Sequence, residues 1–128
     1  MEFKIGAEGQ AEATVDGSNT AKAMGSGSLE VFATPSMIAL MEKAATEAVK
    51  ESIPEDSSTV GTLINVKHMA ATPAGMKVTA RAILTGVDGK RLIFSVEAFD
   101  GKEKIGEGQH ERFVITIDRF LSHTNSKL

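Results

Sequence analysis

Three polar residues, Thr34, Glu42 and His68, could together carry out chemistry on an acyl group. They supply a hydroxyl, a carboxylate and an imidazole, which are the groups that a base-assisted attack on a carbonyl carbon needs. Thr34 and Glu42 are eight residues apart, a little over two helical turns. If a helix begins at Thr34, its N-terminus adds backbone N–H groups suited to a developing oxyanion. The set is therefore a candidate for acyl chemistry.

Each of the three residues also has a purely structural interpretation. Thr34 is a good helix cap, Glu42 could be a solvated helix carboxylate, and His68 could be a partly buried histidine with a backbone partner. Taken singly, each residue fits its structural interpretation better. Only the combination favours a catalytic set, so the elements that carry these residues decide whether they can meet.

The segment from Thr34 to Lys50 carries the only strong helix signal. Thr34 suits the N-cap, Pro35 suits the first helical position, and the helix should end before Ile53-Pro54. Its apolar face holds Met37, Met41, Ala44, Ala45 and Ala48. Glu42 lies at the margin of this face, and the small alanines should let a sheet approach the helix closely.

Strand patterns occupy most of the remaining chain. A short strand is predicted at EGQAEATV, and four longer antiparallel strands are predicted at 59–70, 77–87, 90–99 and 104–117. In the first of these four, alternation places one face at Val60, Ile64, Val66, His68 and Ala70, and the other at Gly61, Leu63, Asn65 and Lys67. The last strand is long, so we expect it to bend at Gly106 and Gly108.

The hairpin at Val87-Asp88-Gly89 allows its register to be predicted. A two-residue loop would pair apolar with polar residues, setting Leu84 and Ala82 opposite Ile93 and Ser95. A three-residue loop with Gly89 left-handed keeps one face apolar, with Leu84, Ala82 and Ala80 opposite Leu92, Phe94 and Val96. We therefore predict the three-residue loop.

Residues 16–31, DGSNTAKAMGSGSLEV, are rich in Gly, Ser and Asn and are predicted to form a mobile, lid-like loop. Residues 1–128 are then one domain of the α+β class, with a single helix on one face of an antiparallel sheet. This arrangement leaves much of the other sheet face to be covered. We therefore expect a symmetric homodimer.

Composition excludes several classes of protein. The chain of 128 residues has a net charge of −3, no Cys and no Trp, and its basic residues are scattered, so nothing predicts nucleic-acid binding. No stretch approaches the ~18 apolar residues of a membrane span, and the N-terminus lacks the apolar segment of a signal peptide. No metal-ligand spacing links the three histidines. We expect a cytoplasmic protein without membrane, nucleic-acid or metal partners.

Three ordered motifs resemble the fluoroacetyl-CoA thioesterase-like branch of the hot-dog-fold superfamily. They are VFATPSMIALMEKA at the helix, GTLINVKHMAATPAG in the first long strand and GEGQHERFVI in the last, within a resemblance over residues 31–118. The resemblance implies a curved antiparallel sheet wrapped around one central helix. It also implies dimerisation through sheet edges and an acyl tunnel at the subunit interface.

The resemblance further implies roles for individual residues. His68 would be a general base or acid, Glu42 its electrostatic partner or a water activator, and Thr34 a nucleophile or water positioner. Gly61 and Arg112 match positions that lie at the acyl pocket in the family. Their structural alternatives are a strand glycine that lets the helix approach and an exposed cation or dimer salt bridge.

The region before the helix departs from the family pattern. The specialised fluoroacetyl enzyme carries an aromatic lid there, whereas AKAMGSGSLEV contains no aromatic residue before Phe32, which we expect to contact the substrate. A Gly/Ser loop cannot form the same water-excluding cover. The resemblance therefore supports the family chemistry more strongly than it supports fluoroacetyl selectivity.

The predicted function is hydrolysis of a small or medium acyl-CoA to the free acid and CoA by a homodimeric enzyme. No cofactor is expected, since CoA enters as part of the substrate. Two alternatives stay open at this level: a non-catalytic protein that binds acyl-CoA or a small ligand in the same pocket, and a hot-dog hydratase or dehydratase. The second is weaker because the sequence lacks the Asp/His pairing of those enzymes.

Overall fold

A long helix, α2 (Thr34–Val49), lies against one face of a curled five-stranded antiparallel sheet. The computed structural model describes residues 1–128. The strands are β1 (Glu8–Thr14), β2 (Ser57–His68), β3 (Lys77–Asp88), β4 (Arg91–Phe99) and β5 (Lys104–Thr116). The remaining elements are α1 (Ala21–Met24), a 3-10 turn (Lys50–Ser52) and α3 (Ile117–Asn125). The predicted α+β architecture with one central helix is confirmed.

The strand order in the sheet is β1-β3-β4-β5-β2, so β2 is an edge strand that pairs only with β5. This pairing runs from Ser57 opposite Thr116 to His68 opposite Gly106. The other side of β2 has no strand beside it, and Leu63 on this strand is 42% exposed. The strand that carries His68 and Gly61 is therefore also one of the two edge strands of the sheet, the other being β1.

Helix α2 forms because apolar residues recur on one face behind a proline in the first turn. Its buried residues are Met37, Leu40, Met41, Ala44, Ala45 and Val49. They pack in one core with buried side chains of β3 and β4, including Leu84, Phe94 and Val96. Strand β1 approaches so closely that a Cβ atom on Gly9 would overlap the backbone of Ala44 and Ala48. Helix and sheet are thus held in one fixed relation.

The predicted register of the β3–β4 hairpin is wrong. Asp88 pairs with Arg91, so the loop has two residues, and Gly89 has the expected left-handed φ of 62°. A β-bulge at Thr85 then shifts the register, which sets Leu84, Ala82 and Ala80 opposite Phe94, Val96 and Ala98. All six of these side chains are buried. The apolar face is kept by the bulge and not by a longer loop.

Strand β5 is irregular where a bend was expected. Ala98 pairs with Gly106 while Phe99 pairs with Lys104, which leaves Ile105 as an extra residue. A Cβ atom on Gly106 would lie 2.5 Å from the Met37 sulfur. The glycine at this position therefore lets β5 contact α2.

The segment 16–31 has local structure that the sequence analysis did not predict. Thr20 is buried and caps α1 by accepting a hydrogen bond from the Ala23 N–H, and Gly25 ends the helix in a left-handed conformation. Helix α3 was likewise not predicted, and its residues are all at least partly exposed. None of the helices combines the length and the apolar character of a membrane span.

Candidate active site

Thr34 and His68 are in direct contact. The Thr34 Oγ1 atom lies 2.7 Å from His68 Nδ1, which joins the start of α2 to the end of β2. Thr34 is the first residue of the helix, Ala33 occupies the N-cap position, and no side chain caps the backbone there. The prediction that Thr34 is the N-cap is therefore wrong. Its hydroxyl bonds to an imidazole instead of to the backbone.

The environment of His68 favours a neutral imidazole. Burial lowers the pKa of His68 below its usual value of 6.5, and a weaker backbone interaction with Ala70 opposes this shift. Nε2 is buried and makes no hydrogen bond of normal geometry. With the proton on Nε2, Nδ1 is free to accept the Thr34 hydroxyl proton. The pair then has the arrangement of a hydroxyl beside its general base.

The start of α2 offers backbone donors next to this pair. The N–H groups in the first turn of a helix have no partner within the helix, and Pro35 has no N–H, so Thr34 and Ser36 supply the free donors. Met37 is the first residue whose N–H is used, by the Ala33 carbonyl. An oxyanion near Thr34 would face these donors and the positive end of the helix dipole.

An open cavity of about 300 Å³ adjoins the Thr34–His68 pair. Its lining includes Thr34, His68 and Phe32, together with Ala21, Ser26 and Val31 from segment 16–31. Phe32 is only 2% exposed and belongs mainly to the core. The structure thus brings Phe32 and the segment to the same cavity as the two polar residues.

Glu42 and Arg112 form a second cluster. Glu42 Oε2 lies 3.2 Å from Arg112 Nη1, and Thr59 accepts two further hydrogen bonds from the guanidinium, at 2.8 Å and 3.0 Å. The Arg112 side chain is 8% exposed and that of Glu42 is 38% exposed. Burial lowers the pKa of Arg112, and the Glu42 charge opposes this shift. Arg112 is therefore a buried cation whose three nitrogens all donate hydrogen bonds, and not an exposed one.

Gly61 makes room for the Glu42 carboxylate. A Cβ atom at this position would lie 2.5 Å from Glu42 Oε2 and 3.4 Å from Arg112 Nη1. The prediction that Gly61 and His68 lie on opposite faces of the strand is wrong. The β2–β5 register shifts between Gly61 and Leu63, and this β-bulge turns Gly61 to the face that contacts α2.

His110 belongs to the Arg112 cluster and was not selected from the sequence. It is fully buried, its Nδ1 lies 2.8 Å from the Leu63 carbonyl oxygen, and its Nε2 lies 3.1 Å from Arg112 Nη1. Its ring stacks on Phe94 with 6.1 Å between centroids. The available signal was its position two residues before Arg112, which puts both on the same face of a strand.

The two clusters are separate within one chain. In the sheet, Gly61 pairs with Arg112 and His68 pairs with Gly106, six residues further along β5. At ~3.3 Å per residue this separation is about 20 Å along the strand. Glu42 is bonded to Arg112 and makes no hydrogen bond to His68. A contiguous triad of Thr34, His68 and Glu42 is therefore not formed by a single chain.

Comparisons with known proteins give a consistent result. The model of the family described as fluoroacetyl-CoA-specific thioesterase matches residues 15–118. The chain belongs to this family. It is 44% identical over 98 residues to the fluoroacetyl-CoA thioesterase of Streptantibioticus cattleyicolor, a match that covers 77% of this chain and 70% of that protein. The family match includes both clusters and ends at the start of α3.

Solved structures of a fluoroacetyl-CoA thioesterase share the whole architecture. One has a TM-score of 0.93 with 34% identity over 100% of this chain and 99% of the other. A variant in complex with fluoroacetate and CoA has a TM-score of 0.87 with 36% identity over 92% of this chain and 99% of the other. This member of the thioesterase family therefore has the hot-dog fold and is an acyl-CoA thioester hydrolase.

Proposed function

We propose that the protein hydrolyses a small or medium acyl-CoA to the free acid and CoA at the Thr34–His68 pair. The observation that carries this proposal is the 2.7 Å contact between the Thr34 hydroxyl and His68 Nδ1 at the start of α2. A hydroxyl, a neutral imidazole and free helix N–H groups at one cavity are the parts that acyl transfer to water requires.

In the proposed reaction, the thioester carbonyl oxygen faces the N–H groups of Thr34 and Ser36. His68 accepts a proton as the Thr34 oxygen, or a water molecule that it positions, attacks the carbonyl carbon. The C–S bond breaks, and the CoA sulfur leaves with the proton from His68. If Thr34 itself attacks, water then hydrolyses the resulting ester by the same route. The direct Thr34–His68 contact favours Thr34 as the nucleophile.

We propose that Glu42 acts across a homodimer interface. The free edge of β2 is a suitable surface, because a second copy can continue the sheet there. Antiparallel pairing of two β2 strands about a centre at Asn65, with Thr62 as the extra residue of the bulge, would set Gly61 of one chain opposite His68 of its partner. The Glu42–Arg112 cluster of each chain would then complete the Thr34–His68 site of the other. Glu42 Oε1, which makes no hydrogen bond within the chain, would be available to orient water or an imidazolium.

The acyl group is proposed to be less restricted than fluoroacetyl. The relatives named above act on fluoroacetyl-CoA. In this chain, the segment beside the cavity contributes Ala21, Ser26 and Val31, and residues 16–31 contain no aromatic side chain. We propose that this segment is a lid that covers the acyl group without an aromatic seal, and that Phe32 forms the cavity wall. We also propose a cytoplasmic enzyme that needs no cofactor.

The test is the release of free thiol from a panel of short, medium and aromatic acyl-CoAs. We expect His68→Ala and Thr34→Ala to lower kcat by about 10²-fold or more. Matched controls are His123→Ala and Thr46→Ala, which remove the same side chains at positions outside both clusters. Full activity in His68→Ala would refute the proposed centre. Binding of acyl-CoA without any turnover by the native protein would favour the binding-protein alternative.

A further inference from the structure

His110 has two hydrogen-bond partners that cannot exchange roles. The Leu63 backbone carbonyl can only accept a hydrogen bond, and the Arg112 guanidinium can only donate one. Nδ1 must therefore carry the proton that Leu63 accepts, and Nε2 must be the unprotonated nitrogen that Arg112 donates to. Only the neutral Nδ1–H tautomer satisfies both contacts.

The Arg112 guanidinium depends on this acceptor for its orientation. Its Nε and Nη2 groups donate to Thr59, which fixes one edge, and Nη1 donates to both His110 and Glu42. The His110 ring is itself held by stacking on Phe94. The fold therefore holds His110 as a rigid acceptor beside the one guanidinium nitrogen that reaches Glu42.

We propose that His110 is a positioning residue, whose neutral Nδ1–H tautomer holds Arg112 in the orientation that fixes the Glu42 carboxylate. This inference rests on the proposed function for its effect on turnover, but its structural part concerns only the tautomer and the guanidinium. His110 makes no contact with the cavity at Thr34 and so is not a catalytic residue.

Protonation of His110 would break this arrangement. The charged groups that act on His110 are Arg112 on the same strand, Glu42 on α2 and Glu111 on the neighbouring position of β5. The groups that contact it from β2 and β4, the Leu63 carbonyl and the Phe94 ring, are uncharged. A proton on Nε2 would remove the acceptor and place a second cation 3.1 Å from Arg112 Nη1. Arg112 would then have to turn away, and Glu42 would lose its partner.

The direct test is the ¹⁵N NMR spectrum of the full-length protein labelled in histidine and arginine, recorded between pH 5 and pH 8. We expect His110 to carry its proton on Nδ1 at pH 7.5, and the Arg112 signals to shift in step with its protonation at lower pH. A proton on Nε2 at pH 7.5, or Arg112 signals that ignore the titration, would overturn the proposal. This readout requires no turnover, so it stands apart from a failure of the proposed function.

Two variants test the consequence for catalysis. His110→Gln can donate to Leu63 and accept from Arg112 through its amide, so we expect it to keep kcat within about threefold. His110→Phe keeps a flat ring against Phe94 but offers no acceptor, so we expect kcat to fall about tenfold in a protein that thermal unfolding shows to be folded at the assay temperature. In His110→Gln, the loss of kcat below pH 6.5 should also be shallower, since His68 is then the one histidine left in the two clusters. Native kcat and pH profile in His110→Phe would overturn the proposal.

Discussion

At the scale of single residues, the position of the Glu42 carboxylate beside Arg112 depends on Gly61 having no side chain. Gly61 faces Glu42 only because of the bulge that follows it, and the Glu42 oxygen occupies the space that a methyl group would fill. The obstructed atom is the end of a flexible, partly exposed side chain. A substitution here should therefore affect the position of the carboxylate more than the stability of the fold.

Gly61→Ala is expected to lower kcat about tenfold while shifting Tm by no more than about 2 °C, because Glu42 can move away without a backbone change. Thiol release and thermal unfolding measure the two quantities. Gly86→Ala is the control, since its Cβ would meet the Ile93 side chain, at 3.3 Å, and no residue of either cluster. Equal kcat in both variants would remove Gly61 from the proposed site.

The stability of the fold should depend on pH through His110. Burial, with the nearby Arg112 charge, lowers the pKa of His110 below the usual 6.5, so the unfolded chain binds a proton more readily than the folded one. The free energy of unfolding contributed by this group is fully present above about pH 6.5 and is lost as the pH falls through the folded-state pKa. Urea unfolding between pH 5 and pH 8 should show that the free energy of unfolding falls less with decreasing pH in His110→Phe than in the native protein. Identical pH slopes would contradict this prediction.

At the scale of elements, the close contact of β1 with α2 fixes the helix that carries Thr34 and Glu42. Gly9 faces the backbone of Ala44 and Ala48, which cannot move without displacing the helix. The small helical residues were recognised from the sequence as permitting a close approach. Gly9, which contacts them, was not recognised from the sequence, because a pattern of residue types does not show which strand packs over a helix.

Gly9→Ala is expected to lower the free energy of unfolding by about 2 kcal/mol or more, because overpacking against backbone cannot be relieved by a rotamer change. The measurement is urea unfolding followed by circular dichroism. Gly17→Ala is the matched control, since a Cβ there would meet nothing within 4 Å and the residue is exposed. If Gly17→Ala lowered the free energy of unfolding as much as Gly9→Ala, the close contact of β1 with α2 would not be the cause.

The helix and the strands could be predicted from the sequence, whereas their irregularities could not. Helix α2 and the five strands follow from hydrophobic periods, whereas the grouping of Thr34 with His68 rests on their residue types and on the family resemblance. The bulges at Thr62 and Thr85 do not follow from the sequence. A strictly alternating pattern does not indicate where a strand has an extra residue, because packing on the partner strand stabilises that residue. His110 was missed because a buried histidine bonded to Leu63 and Arg112 has the same sequence pattern as a surface histidine.

At the scale of the whole molecule, the separation of the two clusters makes assembly part of the proposed mechanism. Each chain holds a complete Thr34–His68 pair and a complete Glu42–Arg112 pair, which are about 20 Å apart along β5 and about 12 Å apart along α2. The proposed dimer joins unlike halves across the β2 edges. Two inactive chains with different defects should then be able to restore each other.

Mixing His68→Ala with Glu42→Ala chains after joint unfolding and refolding should recover up to about a quarter of native activity. This fraction is expected because half of the dimers are mixed and one of their two sites is intact. The control is the mixture of His68→Ala with Thr34→Ala, whose defects fall in the same half-site and should not complement. If the first mixture stays as inactive as the second, the site is not shared between chains.

The β-bulge in β2 changes which residues of this strand lie on the same face. Beyond position 62 the alternation of faces changes phase, so Gly61 and His68 point to one side although they are seven positions apart, an odd number. Thr62 itself is exposed and only bonds the Glu111 carbonyl oxygen, so many side chains can replace it. If the strand instead kept all its residues and paired without the bulge, strict alternation from Ile64 would turn Val60 toward Glu42 and Gly61 away. In this strand the β-bulge, and not the identity of the residue that forms it, decides which side chain faces Glu42.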